Sequence, residues 1–175
     1  RVKVDGRVVS KPFAPLAQDA RVTLDGKPLD VTARTRVLMF HKPAGLVCAL
    51  RDMQNVGTVF EALRRLLPAD LVNYSWHAVG RLDRDTTGLL LFTNDERFVA
   101  FATSPQTHLP KRYLAQVSSS ASDEHLAPLR RGVTLDDGPA RPALAVLREP
   151  GLVELTLTEG SNHQVKRMLA LVKLP

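Results

Sequence analysis

Short runs of apolar residues, each bounded by turn residues, cover most of the chain. In residues 1–30, valines and leucines alternate with polar residues on either side of two Asp-Gly pairs, Asp5-Gly6 and Asp25-Gly26. An Asp-Gly pair between alternating segments is typical of a tight β-hairpin turn. The block is too small for an independent core. We therefore expect a small strand module at residues 1–30 and a polar linker at residues 31–36.

The rest of the chain, residues 37–175, alternates between predicted strands and short helices. Apolar or alternating runs predict strands at 37–40, 89–92, 113–117, 146–147 and 152–157. Helical spacing and capping residues predict helices at 57–67, from Asn94 or Asp95 to about 101, from Ser122 to Gly132, and from Asn162 onward. The segment HKPAG at 41–45 is predicted to be a loop. This order of elements indicates the α+β class.

Composition and charge restrict the kind of protein. Hydrophobic residues make up 44% and charged residues 24% of the 175 residues, which is typical of a globular domain. No apolar run reaches the roughly 20 residues that a membrane span needs. The net charge of +6 favours a polyanionic partner such as nucleic acid, although a merely basic surface would give the same value. The chain begins with Arg1, so we expect a longer natural N-terminus.

The single cysteine limits the chemistry further. Cys48 has no second cysteine with which to form an intramolecular disulfide or a multi-cysteine metal site. A chain with one cysteine also fits a reducing compartment, and we expect a cytoplasmic location.

The last predicted helix combines an apolar face with a basic face. Its apolar positions follow the i, i+3, i+4, i+7 rule and should face the core: Val165, Met168, Leu169 and Val172. His163, Lys166 and Arg167 share the same spacing on a neighbouring face. Cations near a helix N-terminus oppose the helix dipole, at a cost of a few tenths of a kcal/mol each. The pattern predicts a bound anion or a paired carboxylate there; the alternative is an amphipathic helix with a basic side.

The segment HAVGRLDRDTTGLLLFTND, residues 77–95, places four charges directly before a buried strand. Arg81, Asp83, Arg84 and Asp85 stand within five residues. One carboxylate can bind backbone N–H groups of the turn, which leaves the other free to act. A partly desolvated carboxylate beside a cation suits a nucleophile or a general base. Ordinary loop salt bridges would produce the same pattern.

Four segments of the chain resemble the motifs of one enzyme family. GRLDRDTTGLLLFTND is similar to the hallmark motif of pseudouridine synthases, KRY at 111–113 to the second motif and EGSNHQVKRM to the third. HKPAG resembles the KPxG loop of the same family. The four occur in the family's order over roughly residues 37–172. The N-terminal block resembles the end of an S4 RNA-binding domain, an arrangement typical of the RsuA-like branch that modifies ribosomal RNA.

The resemblance implies a fold, a domain organisation and a reaction. The expected fold is the pseudouridine synthase fold, a mixed and mainly antiparallel sheet with flanking helices, preceded by the remnant of an S4 domain. Residues 1–30 would be a partial S4-like RNA-binding module, 31–36 a linker, and 37–175 a C-terminally truncated catalytic domain. The expected activity is the isomerisation of uridine to pseudouridine in ribosomal RNA.

The resemblance also implies roles for individual residues. Asp83 would be the catalytic aspartate that attacks or deprotonates the target ribose. Tyr113 would stack on the uracil and help to move a proton. Lys166 would pair with Asp83, with Arg167 as the alternative, while Asp85 would be the structural carboxylate.

The remaining residues that match the family motifs are predicted to contact the substrate. Arg81 would hold the target nucleotide turned out of its stack. The predicted substrate contacts are Arg81, Arg167, His163, Gln164, Lys42 and Lys111.

The family reaction needs neither a metal nor a redox cofactor, because the carboxylate supplies nucleophilic or general-base catalysis. The expected partner is ribosomal RNA or an assembly intermediate of a ribosomal subunit, and we expect a monomer with no membrane contact. HQVKRM favours small-subunit 16S rRNA, with large-subunit 23S rRNA as the alternative.

Two other functions are compatible with the residues. One is a non-catalytic RNA-binding or assembly factor with the same fold. The other is a glycosidase that uses Asp83 with either Asp85 or Glu159, which requires two carboxyl groups at defined separations across a sugar-sized cleft.

Overall fold

The computed structural model describes residues 1–175 apart from 12–15, 18, 30–33, 54, 118–120 and 175. The chain divides into two compact units, Arg1–Arg36 and Val37–Pro175. The predicted linker at 31–36 lies partly outside the described residues.

The first unit contains a four-stranded antiparallel sheet in the order β2-β1-β3-β4. Its strands are β1 (Val2–Val4), β2 (Arg7–Val8), β3 (Val22–Leu24) and β4 (Lys27–Leu29). Both predicted hairpin turns are present: Asp5 and Gly6 have φ of 48° and 80°, and Asp25 and Gly26 have φ of 49° and 83°. Two successive left-handed residues are the requirement of a type I′ turn, which explains the Asp-Gly pairs. The assignment of this unit to an S4 domain stays a prediction.

The second unit alternates strands and helices as the sequence predicts. Its strands are β5 (Val37–Lys42), β6 (His77–Val79), β7 (Gly88–Thr93), β8 (Lys111–Gln116), β9 (Val133–Leu135), β10 (Gly138–Ala140), β11 (Leu144–Glu149) and β12 (Leu152–Leu157). Its helices are α1 (Val59–Leu66), α2 (Glu96–Thr103), α3 (Asp123–Arg131) and α4 (Gln164–Leu171), with a 3₁₀ turn at Pro105–Thr107.

The strands of the second unit form antiparallel sheets. One three-stranded sheet has the order β5-β7-β6, another has the order β11-β12-β8, and β9 and β10 form a separate ribbon. The predicted α+β class with flanking helices is therefore confirmed. The β9–β10 ribbon is an addition that the sequence reading did not predict.

An aromatic core lies beneath the β5-β7-β6 sheet. Phe92 of β7 has no exposed surface and meets Phe40 and Phe60 edge-on, with ring centroids 5.8 and 5.4 Å away. Helix α1 covers this core through Val59 and Leu63. A capping box at Thr58 and Glu61 fixes the start of α1. Strand β7 therefore leaves the charged segment and enters a rigid core at once.

A second core joins the β11-β12-β8 sheet to helices α3 and α4. Val153 and Leu155 of β12 are fully buried, as are Leu126 and Leu129 of α3. From α4, Met168 and Leu169 pack into the same core, as the apolar spacing predicts. Helix α4 is thus anchored by its apolar face.

One local prediction is wrong. The residue before α4 that acts as its N-cap is His163, in the left-handed region with φ 50°, and not Asn162. The charged segment precedes the strand as predicted: Thr86 N donates to Asp83 O at 3.1 Å and closes a turn before β7 begins. Among the described helices, the longest has 9 residues, and none is long and apolar enough to cross a membrane.

The aromatic core yields a stability prediction. We expect Phe92→Ala to lower the free energy of unfolding by about 3–5 kcal/mol, because it removes a fully buried ring and leaves a cavity. Urea denaturation can be followed by the fluorescence of Trp76, the single tryptophan, which packs against this core. Phe101→Ala is the control, since Phe101 is largely exposed and should change stability by less than about 0.5 kcal/mol.

Candidate active site

A buried lysine determines the path of the charged turn. Lys42, in β5, has no exposed surface, and its Nζ donates to Pro43 O at 3.0 Å, Arg84 O at 3.1 Å and Thr86 O at 2.8 Å. An ammonium has three donors, so all of them are used. Burial lowers the pKa of Lys42, while the negative charges of Asp85 and Asp83 oppose that change. The prediction that Lys42 lies in a loop is corrected, because it ends β5 and its ammonium holds the turn. Its contact with substrate stays a prediction.

The loop after β5 supports the other side of the same turn. Gly45 N donates to Arg84 O at 2.7 Å. The sulfur of Cys48 accepts from Leu82 N and donates to Leu82 O, both at 3.4 Å. The backbone on both sides of Asp83 is thus held by groups from residues 42–48. No local sequence pattern predicts this role of Cys48.

Helix α4 and the residue before it bring a lysine and a histidine to the turn. Lys166 Nζ lies 3.7 Å from Asp83 Oδ2 and 2.6 and 2.7 Å from the two carboxylate oxygens of Asp85. His163 Nε2 lies 3.6 Å from Asp83 Oδ1. Lys166 and both carboxylates are partly exposed, with 29% of the Asp83 side chain accessible. The predicted approach of Lys166 to Asp83 is present, but its shortest contacts are to Asp85.

The contact between Lys166 and Asp85 shifts the pKa values of both side chains. The hydrogen bond from Lys166 lowers the pKa of Asp85, and the same bond raises the pKa of Lys166. Asp85 is therefore a charged partner of the helix cation, which refines its predicted role as a structural carboxylate. The stabilisation that this pair gives the fold is present above the ordinary carboxyl pKa and is lost as the pH falls through the lowered value.

Tyr113 reaches the site from β8. Its burial raises the pKa of the phenol, and the negative charge of Asp83 raises it further, which places the ring within electrostatic range of the carboxylate. The phenol is consequently neutral at physiological pH. A carboxylate and a lysine from two different elements thus lie within 3.7 Å of each other. That Tyr113 joins them at one site stays a prediction.

Arg167 and Gln164 are directed elsewhere. Arg167 donates to both carboxylate oxygens of Asp137 at 2.6 and 2.9 Å and to Ser161 Oγ at 2.8 Å, so it is not the partner of Asp83. Gln164 is buried, accepts from Ser161 N at 2.9 Å and donates to Glu159 at 2.6 Å. Both side chains brace the loop before α4, and their contact with substrate stays a prediction.

Arg81 and Lys111 retain accessible surface. Arg81 is exposed two residues before Asp83, and Lys111 is half-buried with its Nζ donating to Leu109 O at 3.1 Å. Their contact with substrate stays a prediction. Within the residues that the structure describes, no group of three His, Cys, Asp or Glu side chains could hold a metal ion.

The glycosidase alternative lacks a proton donor. Such an enzyme needs one protonated carboxylic acid with a raised pKa. The pKa of Asp85 is lowered by Lys166, and Glu159 already accepts from Arg141 N at 2.9 Å and from Gln164. The arrangement therefore does not support a carboxylate pair in which one member acts as acid.

Comparison with known proteins agrees with this geometry. The family model described as RNA pseudouridylate synthase matches residues 36–171, which is well over half of the chain. The chain is 37% identical to ribosomal small subunit pseudouridine synthase A of Yersinia pestis, over 98% of this chain and 72% of that protein. The corresponding protein of Escherichia coli K12 is 36% identical over 98% of this chain and 73% of its own length.

A large-subunit enzyme and two solved structures are also similar. Ribosomal large subunit pseudouridine synthase B of Yersinia pestis is 35% identical over 96% of this chain but only 54% of its own length. A crystal structure of a pseudouridylate synthase superposes with a TM-score of 0.70 and 30% identity, over 99% of this chain and 73% of the other. The structure of human RNA pseudouridylate synthase domain containing 4 superposes with a TM-score of 0.52 at 19% identity. The match covers 79% of this chain and 62% of the human chain and shows that the two share the fold.

The contact of Lys166 with both Asp83 and Asp85 gives a measurable prediction. In Lys166→Gln, the pKa of Asp85 should rise towards the ordinary carboxyl value, because its main hydrogen-bond donor is lost. Carboxyl ¹³C NMR during a pH titration measures this change. Asp123 is the internal control: Arg130 lowers its pKa in the same way, and that pKa should not change in the variant. An unmoved Asp85 titration would contradict the pairing.

Proposed function

The chain belongs to the RNA pseudouridylate synthase family, in its RsuA-like branch, and we propose that its substrate is one uridine of small-subunit 16S ribosomal RNA. The observation that supports the site is the approach of Lys166, from helix α4, to within 3.7 Å of Asp83 in the turn before β7. The negative charge of Asp83 also contributes to the raised pKa of Tyr113 on β8.

Asp83 is proposed to start the reaction. Pseudouridine formation breaks the C1′–N1 bond of uridine, rotates the base and forms a C1′–C5 bond. A carboxylate can attack the ribose as a nucleophile or abstract a ribose proton as a base. The supports from Lys42, Gly45 and Cys48 hold the backbone of the turn, so Asp83 is presented without reorganisation of its loop.

Tyr113 is proposed to hold the uracil. A nucleotide must leave its stack to reach such a site, at a cost of a few kcal/mol. Stacking of a base on an aromatic ring returns roughly 1–3 kcal/mol. Because the phenol of Tyr113 is neutral, it can also donate a hydrogen bond to the base or take part in a proton transfer. Arg81, exposed beside the turn, is placed to hold the nucleotide outside the stack.

The comparisons support the small subunit as the source of the RNA. The relatives that match 98% of this chain at 36–37% identity are named small-subunit enzymes. The large-subunit relative is slightly less similar and is covered over only 54% of its length. A net charge of +6 suits a phosphate-rich partner, either free ribosomal RNA or a subunit assembly intermediate. We further propose that the protein acts as a monomer in the cytoplasm.

The first unit is proposed to be the strand part of an S4-like module. Its strands and turns expose several basic side chains that can face phosphates: Lys3, Arg7, Arg21 and Lys27. Salt-dependent RNA binding by this unit would follow from those charges.

The proposed reaction is tested by removing the carboxylate. Asp83→Asn should abolish pseudouridine at one position of 16S rRNA in a strain that lacks the wild-type gene, as mapped by carbodiimide treatment and primer extension. Asp123→Asn, which alters an exposed salt-bridged carboxylate on α3, should leave the modification intact.

Other results of the mapping have defined meanings. A pseudouridine that persists with Asp83→Asn would refute the catalytic role and favour an RNA-binding assembly factor. A signal that changes in 23S rRNA and not in 16S rRNA would refute the small-subunit assignment but not the chemistry.

A further inference from the structure

We propose that the loop formed by residues 46–53 and 55–57 is an apolar wedge, in which Leu50 and Met53 contact unstacked bases beside the target nucleotide. This inference rests on the proposed function, because it assigns to the loop a part in opening the RNA for the site around Asp83. Three observations support the proposal: the ends of the loop are bonded together, its base is attached to the catalytic turn, and the side chains of Leu50 and Met53 are exposed.

The ends of this loop are fastened together. Val47 N donates to Gly57 O at 3.1 Å, and Val59 N donates to Val47 O at 3.0 Å. Gly57 N also donates to the carboxylate of Asp52 at 2.5 Å. At the base of the loop, Leu46 packs against the aromatic core. The loop therefore starts and finishes at one place on the fold and projects its middle residues outward.

The base of the loop is attached to the catalytic turn. Cys48 makes two contacts to the backbone of Leu82, the residue before Asp83. Leu50 follows two residues later, so its Cα lies within about 7 Å of the Cα of Cys48. An RNA whose target nucleotide reaches Asp83 consequently passes close to the loop.

The middle of the loop exposes unusually large apolar surface. Met53 and Leu50 have relative exposures of 88% and 81%, and only Met39, at 82%, is comparable among the large apolar side chains of the described residues. Single exposed apolar residues are common, but two on one closed loop beside a reaction centre indicate a contact surface. The hydrogen bonds that close the loop restrict its backbone before any partner arrives, which reduces the entropy lost on binding.

The surrounding charges favour RNA as the partner. Arg51 lies between the two apolar residues and is exposed, and Arg81 and Arg84 are exposed on the attached turn. Cations can contact phosphates while apolar side chains contact base faces. Several proteins that deform nucleic acids insert leucine or methionine between base steps in this way. A purely apolar partner surface would leave these arginines without counter-charges.

The test compares two double variants on two RNAs. Leu50→Ser with Met53→Ser removes the proposed wedge, whereas Leu66→Ser with Leu144→Ser removes two leucines of 71% and 72% exposure from α1 and β11. The substrates are a 16S rRNA fragment with the mapped uridine in its native pairing, and the same fragment with that uridine unpaired by a mismatch. We expect kcat/KM for the wedge variant to fall about tenfold on the native fragment and less than about twofold on the mismatched one.

A second measurement reads base opening without catalysis. In an Asp83→Asn background, 2-aminopurine beside the target uridine should become more fluorescent when the protein binds, and the wedge variant should abolish most of that increase. An unchanged fluorescence, or equal losses of kcat/KM on both fragments or in the control variant, would overturn the proposal. Sedimentation that shows a dimer dispersed by the wedge substitutions would also overturn it, in favour of a protein contact.

The two proposals fail separately. A wild-type protein that forms no pseudouridine would refute the proposed function, while the fluorescence measurement would still decide whether the loop opens RNA. A fully active wedge variant would refute only the wedge.

Discussion

The arrangement of the site depends on one buried ammonium group. Lys42 extends from the end of β5 and donates to three backbone carbonyls, two of which belong to the turn that contains Asp83. A buried charge is costly unless hydrogen bonds compensate it, and here every donor has an acceptor. The same contacts join β5 to the segment that precedes β7, so the sheet itself sets the position of the carboxylate.

The rest of the site comes from a different core. Helix α4 and strand β8 pack with β11 and β12, whereas the turn belongs to the aromatic core around Phe92. Lys166 contacts Asp85 across 81 residues of sequence. Because each core is well packed by itself, side chains from the two can meet at fixed distances without additional local support.

Most helices and strands could be predicted from the sequence, but the hydrogen-bond partners of some side chains could not. Asp-Gly turns, the Ser122 and Gly132 helix signals and the apolar run of β7 are local features, and they predicted the corresponding elements. The convergence of Asp83, Tyr113 and Lys166 followed from the family motifs, not from spacing. The inward direction of Lys42 could not be predicted, because two of the three carbonyls that accept from it belong to residues more than 40 positions away. The same limit applies to Arg167, whose partner Asp137 lies on the unpredicted β9–β10 ribbon.

The sharing of Lys166 between two carboxylates has a consequence for the reaction cycle. A covalent bond to the ribose, or uptake of a proton, would remove the negative charge of Asp83 in mid-cycle. Lys166 would still have Asp85 at 2.6 Å as its counter-ion, so its positive charge would remain paired while Asp83 is neutral. The second aspartate thus acts as a reserve anion that lets the first one change its charge while the geometry around it stays the same.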